Sequence, residues 1–276
     1  VTTRSEPTLG RPIAVRPRSM VALIFGSLVG VVGFGWPFLA RPDSSVSGTP
    51  SQAPLFLGAL LLVVVAVVLA ELSERGLDAK AVAMLGVLAA AGTGLRALSP
   101  GTAGFEPTLF LVILAGRVFG PGFGFTIGAV LLLASALATG GVGPWMPYQM
   151  VGLAWTGLAA GLLPRASGRT ERLLLAGYAA LAGFGYGALL NLSFWPFSTS
   201  LPPEMSYDPD GTVATNLAHY ATFYVTTSFT WDCVRAVINA TLVLVIGRPV
   251  LATLRRAARR AAFPTTRPLT LHSPRH

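Results

Sequence analysis

Long apolar blocks, repeated along almost the whole chain, constrain this sequence more than any other feature. They run roughly 15 to 25 residues, about what a helix needs to cross a hydrocarbon core about 30 Å thick. Inside lipid the backbone must satisfy its own polar groups, so such blocks read as helices. Composition agrees: 53% of the residues are hydrophobic and 11% are charged, against about 25% charged in soluble domains. The expected fold is therefore an all-α, polytopic transmembrane bundle.

Eight spans are expected, at about 19–40, 54–72, 79–98, 106–119, 123–140, 148–164, 173–196 and 217–247. The fourth is short and flanked by proline and glycine, which suits a tilted or shallow helix. Pro50, Pro54, Pro100, Pro121, Pro144, Pro164 and Pro203 fall in connections or at span ends, where a missing N–H costs little. The first apolar stretch is longer than a signal-peptide core, so it reads as a retained helix.

The formal net charge of +9 could suggest nucleic acid. The bases instead sit at the ends of apolar blocks, which points to topology and away from a nucleic-acid partner. With the N-terminus in the cytoplasm, alternation places 17 of the 20 basic residues on that side, as the positive-inside rule asks. Only Arg41 and Arg96 fall outside, and Arg235 lies within a span. Both termini are then cytoplasmic. Three regions are expected: a leader and two-helix hairpin (1–72), a six-helix core (73–252) and a basic tail (253–276).

Four features carry functional chemistry. In the third span Ala79, Ala83, Gly86, Ala90, Gly94 and Ala97 form a stripe of small residues, which lets another helix approach closely. That helix could belong to this chain or to another subunit. Around Gly120, Pro121, Gly122 and Gly124 the chain reads as a tight turn, since no Gly-Lys-Ser/Thr of a nucleotide loop is present. Aromatic and amide residues gather at the outer side: Trp145, Gln149, Asn191 and Trp195. Interface belts explain Trp and Tyr alone, whereas aromatics with a few polar groups resemble a small-molecule pocket. Finally, Tyr224, Ser228, Asp232, Arg235 and Asn239 share one face of the last span. Ionisable groups in a span are costly and face the bundle interior, as a structural ion pair or as part of a solute site.

Cys233 is the single cysteine, so no internal disulfide or cysteine-cluster metal site is expected, and no cofactor is called for. An acid/base or metal constellation for a membrane enzyme is not discernible. Nor are the internal repeats of an autonomous secondary transporter, the other alternative.

The run from Lys80 to about Arg260 resembles the substrate-specific S component of energy-coupling factor (ECF) transporters, in the form found in actinobacteria. The residues that carry the likeness are Lys80-Ala-Val-Ala-Met-Leu-Gly-Val-Leu-Ala-Ala90, Gly116-Arg-Val-Phe-Gly-Pro-Gly-Phe-Gly-Phe125, Ser135-Ala-Leu-Ala-Thr-Gly-Gly-Val-Gly-Pro-Trp145, Asn191-Leu-Ser-Phe-Trp-Pro-Phe197 and Thr227-Ser-Phe-Thr-Trp-Asp-Cys-Val-Arg-Ala236. The resemblance implies a six-helix, non-enzymatic subunit in a bacterial cell membrane that binds a vitamin or similar micronutrient. It implies as partners a transmembrane coupling subunit and two ATPases. It makes Ala83, Gly86, Ala90 and Gly94 the docking face, and it leaves the N-terminal hairpin as an addition to the minimal plan. Solute contacts are expected from Trp145, Gln149, Asn191, Trp195, Tyr224, Asp232 and Arg235.

Overall fold

A computed structural model of the chain describes residues 17–39, 53–74, 79–98 and 104–261. The arginines before residue 17, Arg41, Arg75 and the tail beyond 261 lie outside the described residues. Among the described residues there are nine α-helices: α1 (Pro17–Leu39), α2 (Ala53–Glu74), α3 (Ala79–Leu98), α4 (Thr108–Phe119), α5 (Pro121–Thr139), α6 (Met146–Leu162), α7 (Gly168–Phe194), α8 (Val213–Thr227) and α9 (Phe229–Ala261). Five of the helices are long and apolar enough to cross a membrane. The protein is a polytopic helical membrane protein.

At the centre stands α4, buried from Thr108 through Gly116. Its 12 residues rise about 18 Å, well short of the bilayer core, so α4 is the short helix expected from the sequence. Glycines bring α4, α5 and α6 into backbone contact. A Cβ on Gly116 would meet the Gly157 carbonyl, one on Gly157 the Gly124 carbonyl, and one on Gly128 the backbone of Leu153 and Ala154. In lipid no hydrophobic effect draws helices together, so such close van der Waals packing has to. The turn between α4 and α5 is as tight as expected. Gly120 adopts φ 95°, a conformation that favours glycine, and Pro121 opens α5, where its missing N–H is harmless.

Helices α7 and α9 run antiparallel. Gly183 packs on the backbone of Ala236, and near the Gly120 end Arg255 bonds the Glu171 carboxylate at 2.7 Å. Arg117 reaches the same carboxylate at 2.8 Å and donates to the carbonyls of Leu163 and Pro164, both at 3.0 Å. One buried acid thus ties the ends of α4, α7 and α9 together.

The N-terminal hairpin is packed onto the rest of the bundle. Gly30 lies against Trp155 and Val151, and Trp155 donates its indole N–H to Ser27 at 3.2 Å. At the far end of α1, Trp36 packs on Phe197 and Tyr207, and Phe38 stacks on Trp195.

One expectation is corrected. The last span does not run unbroken from 217 to 247. It divides at Ser228, whose φ of −127° leaves the helical range. Three hydroxyl residues in a row explain the bend. Thr226 and Thr227 turn their hydroxyls back onto the carbonyls of Thr222 and Phe223, and such back-bonding bends helices. Asp232 and Arg235 therefore sit in the first two turns of α9 rather than at mid-span. Asp232 opposes Gly187, at the end of the bundle away from Gly120.

Candidate functional site

A cleft of about 360 Å³ opens at that end. Its floor is polar: Gln149 from α6, Asn191 from α7, Ser228 at the bend, and Asp232 and Arg235 from α9. Its rim is aromatic. Trp145, Phe194 and Trp231 line it and are each about half exposed, at 52%, 49% and 50%.

Charges organise the floor. Arg235 pairs with Asp232 one turn away, as the spacing suggested. It also faces a second carboxylate, with Nε 3.3 Å from Glu106. Glu106 in turn bonds Arg96 of α3 at 2.9 Å, and Arg96 donates to the Gln149 side-chain carbonyl at 3.3 Å. At the other end of the chain of contacts, the Tyr224 hydroxyl donates to Asp232 at 2.8 Å. The Arg235 guanidinium lies 5.7 Å from the ring centroid of Tyr186, within cation–π range. Two arginines thus face two carboxylates. Burial of charge is tolerable when each ion is paired and hydrogen-bonded.

The backbone makes room for this network. A Cβ at Gly187 would run into the Asp232 carboxylate. Pro107 gives α4 no side-chain cap, so one of the helix's free N–H groups needs another acceptor. Asn239 supplies it: the Phe110 N–H donates to its carbonyl at 2.8 Å, while its amide donates to the Glu106 carbonyl at 3.0 Å. The residue that pins α4 therefore also fixes Glu106 beside Arg235.

Of the residues singled out from the sequence, Trp145, Gln149, Asn191, Asp232 and Arg235 converge on the cleft. Tyr224 touches it only through Asp232. Trp195 is fully buried, donates to the Met205 carbonyl at 2.6 Å, and packs among Phe38, Tyr207 and Tyr220. It belongs to an adjoining aromatic cluster that holds the 195–207 loop and does not line the cleft. In that loop, burial and the nearby Asp208 carboxylate push the Tyr207 hydroxyl pKa up.

Glu106 and Arg96 were not expected at the site. A signal existed: Arg96 was one of two bases that the topology count left on the outer side, and an acid, Glu106, opens the next expected span. The small stripe on α3 is uncovered among the described residues. Ala83, Gly86, Ala90 and Gly94 are all exposed, and nothing lies within 4 Å of a Cβ built on Gly86 or Gly94. On the opposite side of α3, Leu85, Leu88 and Ala89 are buried and Gly92 meets Leu131 of α5.

Among the described residues, the helical membrane bundle thus carries a cleft at one end and an exposed stripe of small residues on α3. The family described as "ECF transporter, substrate-specific component" matches residues 80–247, and the chain belongs to that family. The match begins with α3, so it takes in α3 to α8 and much of α9 and leaves the N-terminal hairpin outside. No curated protein and no solved structure matches the chain.

Proposed function

We propose that this protein captures a vitamin or related micronutrient in the cleft between α6, α7 and α9 and delivers it for ATP-driven import. Its partners are a transmembrane coupling subunit and two ATPases. Both termini are cytoplasmic, so the cleft opens to the outside, where solute is collected.

The observation that supports this reading best is the exposed stripe Ala83, Gly86, Ala90 and Gly94. Within the chain, Gly116, Gly124 and Gly157 sit where backbones meet. Gly86 and Gly94 have no neighbour among the described residues, and they lie on one stripe with Ala83 and Ala90. Small residues facing lipid contribute nothing to packing within this chain, whereas they permit a close crossing by a helix of another subunit.

The test is Ala90→Trp, co-expressed with the coupling subunit and the ATPases. The variant is expected to bind solute as the wild type does, to lose co-purification with the coupling subunit, and to lose uptake. Retained assembly would remove the docking assignment. Uptake by the chain alone in proteoliposomes, without ATPases, would favour a secondary transporter instead.

A further inference from the structure

We propose, on the reading that the cleft is the solute site, that its ligand is an uncharged planar ring compound presenting hydrogen-bond acceptors to protein donors. The argument is a count of what the floor still offers. Each acceptor of the floor already takes a donor: Asp232 takes Arg235 on one oxygen and Tyr224 on the other. The Gln149 carbonyl takes Arg96 at 3.3 Å, and the Asn191 carbonyl takes Ser228 at 3.0 Å.

Arginine can only donate, so its contact fixes which end of the Gln149 amide is oxygen. The amide nitrogens of Gln149 and Asn191 are left, and both residues line the cleft. Neither nitrogen has a partner among the described residues. Arg235 Nε is not among the free donors, since it lies 3.3 Å from the Glu106 carboxylate. A ligand that completes this floor brings acceptors, such as carbonyl oxygens or ring nitrogens.

The charge balance points the same way. Arg96 and Arg235 are offset by Glu106 and Asp232. A charged ligand would add an unmatched charge beside a low-dielectric interior, which is costly. The half-exposed Trp145 and Trp231 offer ring faces for stacking. A volume of about 360 Å³ stands near the lower end of the range for small-molecule sites, about 300–1,000 Å³. That accommodates a body of one to three rings.

The experiment is calorimetric titration of the full chain in lipid nanodiscs with three probes of similar size. They are quinazoline-2,4-dione, which is neutral with two carbonyls, N-methylquinolinium, a cation, and quinoline-4-carboxylate, an anion. The dione is expected to bind at least about tenfold more tightly than either ion. Gln149→Glu, which replaces the donor end by an acceptor, and Gln149→Leu are each expected to weaken dione binding about tenfold or more. Thermal unfolding checks that both variants remain folded.

Preference for an ion, or full dione affinity in Gln149→Glu alongside a loss in Gln149→Leu, overturns the acceptor assignment and leaves the cleft as the site. Unchanged dione affinity in both Gln149→Leu and Asn191→Leu overturns the cleft itself. Failure of the wild type to bind any of the three probes at millimolar concentration also overturns the proposal.

Discussion

Glu106 stands 2.9 Å from Arg96, and this ion pair joins the helix that carries the small-residue stripe to the floor of the cleft. On its other oxygen Glu106 faces Arg235 at 3.3 Å. Removing the carboxylate charge by Glu106→Gln leaves both arginines short of a partner. Breaking a buried pair by deleting one member costs about 3–5 kcal/mol. Arg96 is partly exposed, so the lower end of that range is expected. Thermal unfolding in detergent should show a clear drop in Tm, and an unchanged Tm would mean that solvent already screens the pair.

Asp232 and Arg235 are coupled, but not as an isolated pair. Tyr224 also bonds Asp232, and Glu106 also faces Arg235. Asp232→Asn therefore leaves Arg235 with one carboxylate, and a loss of about 1–3 kcal/mol is expected. Arg235→Gln strips a cation from two acids and is expected to cost more, about 3–5 kcal/mol. The double variant should lose less stability than the sum of the two. A double-mutant cycle on unfolding free energy checks this; strict additivity would show that the two side chains act independently.

Gly187→Ala tests the fit between α7 and the network. The added methyl would collide with the Asp232 carboxylate. A small-to-large change in a packed region costs about 1–3 kcal/mol, and here it should also displace Asp232 from the cleft floor. Gly185→Ala is the control, because nothing lies within 4 Å of its Cβ position. Loss of Tm and of solute binding is expected in the first and neither in the second.

Glycines with and without neighbours should behave differently. Gly157→Ala would push a methyl into the Gly124 carbonyl and separate α5 from α6. A Tm drop is expected, corresponding to about 1–3 kcal/mol. Gly86→Ala meets open space and should leave the Tm of the isolated chain unchanged or slightly raised, since alanine is the better helix former. Equal losses in the two variants would contradict the packing described for α4, α5 and α6.

The class of fold was legible in the sequence because lipid imposes a local rule. Every backbone group must be bonded within its own segment, so length and hydropathy marked the helices without knowledge of their neighbours. Spacing alone put Asp232 beside Arg235, and Ala83, Gly86, Ala90 and Gly94 on one stripe. It could not say whether a stripe of small residues would be covered. Gly92 sits two residues before Gly94, yet it is filled by Leu131 while Gly94 stays open. Helix rotation against α5 decided that.

The remaining choices belonged to the tertiary structure, because they depend on contacts between residues far apart in the chain. Composition marked Trp195 and Trp145 alike as outer aromatics. Packing buried the first under Phe38 and Tyr220 and left the second on the rim of the cleft. An apolar run from 217 to 247 concealed the bend at Ser228, where hydroxyls compete for the backbone carbonyls of α8. Glu106 was only the first residue of the fourth expected span. It became the centre of the network only when α4, pinned by Asn239, carried it between an arginine ten residues before it and another on α9.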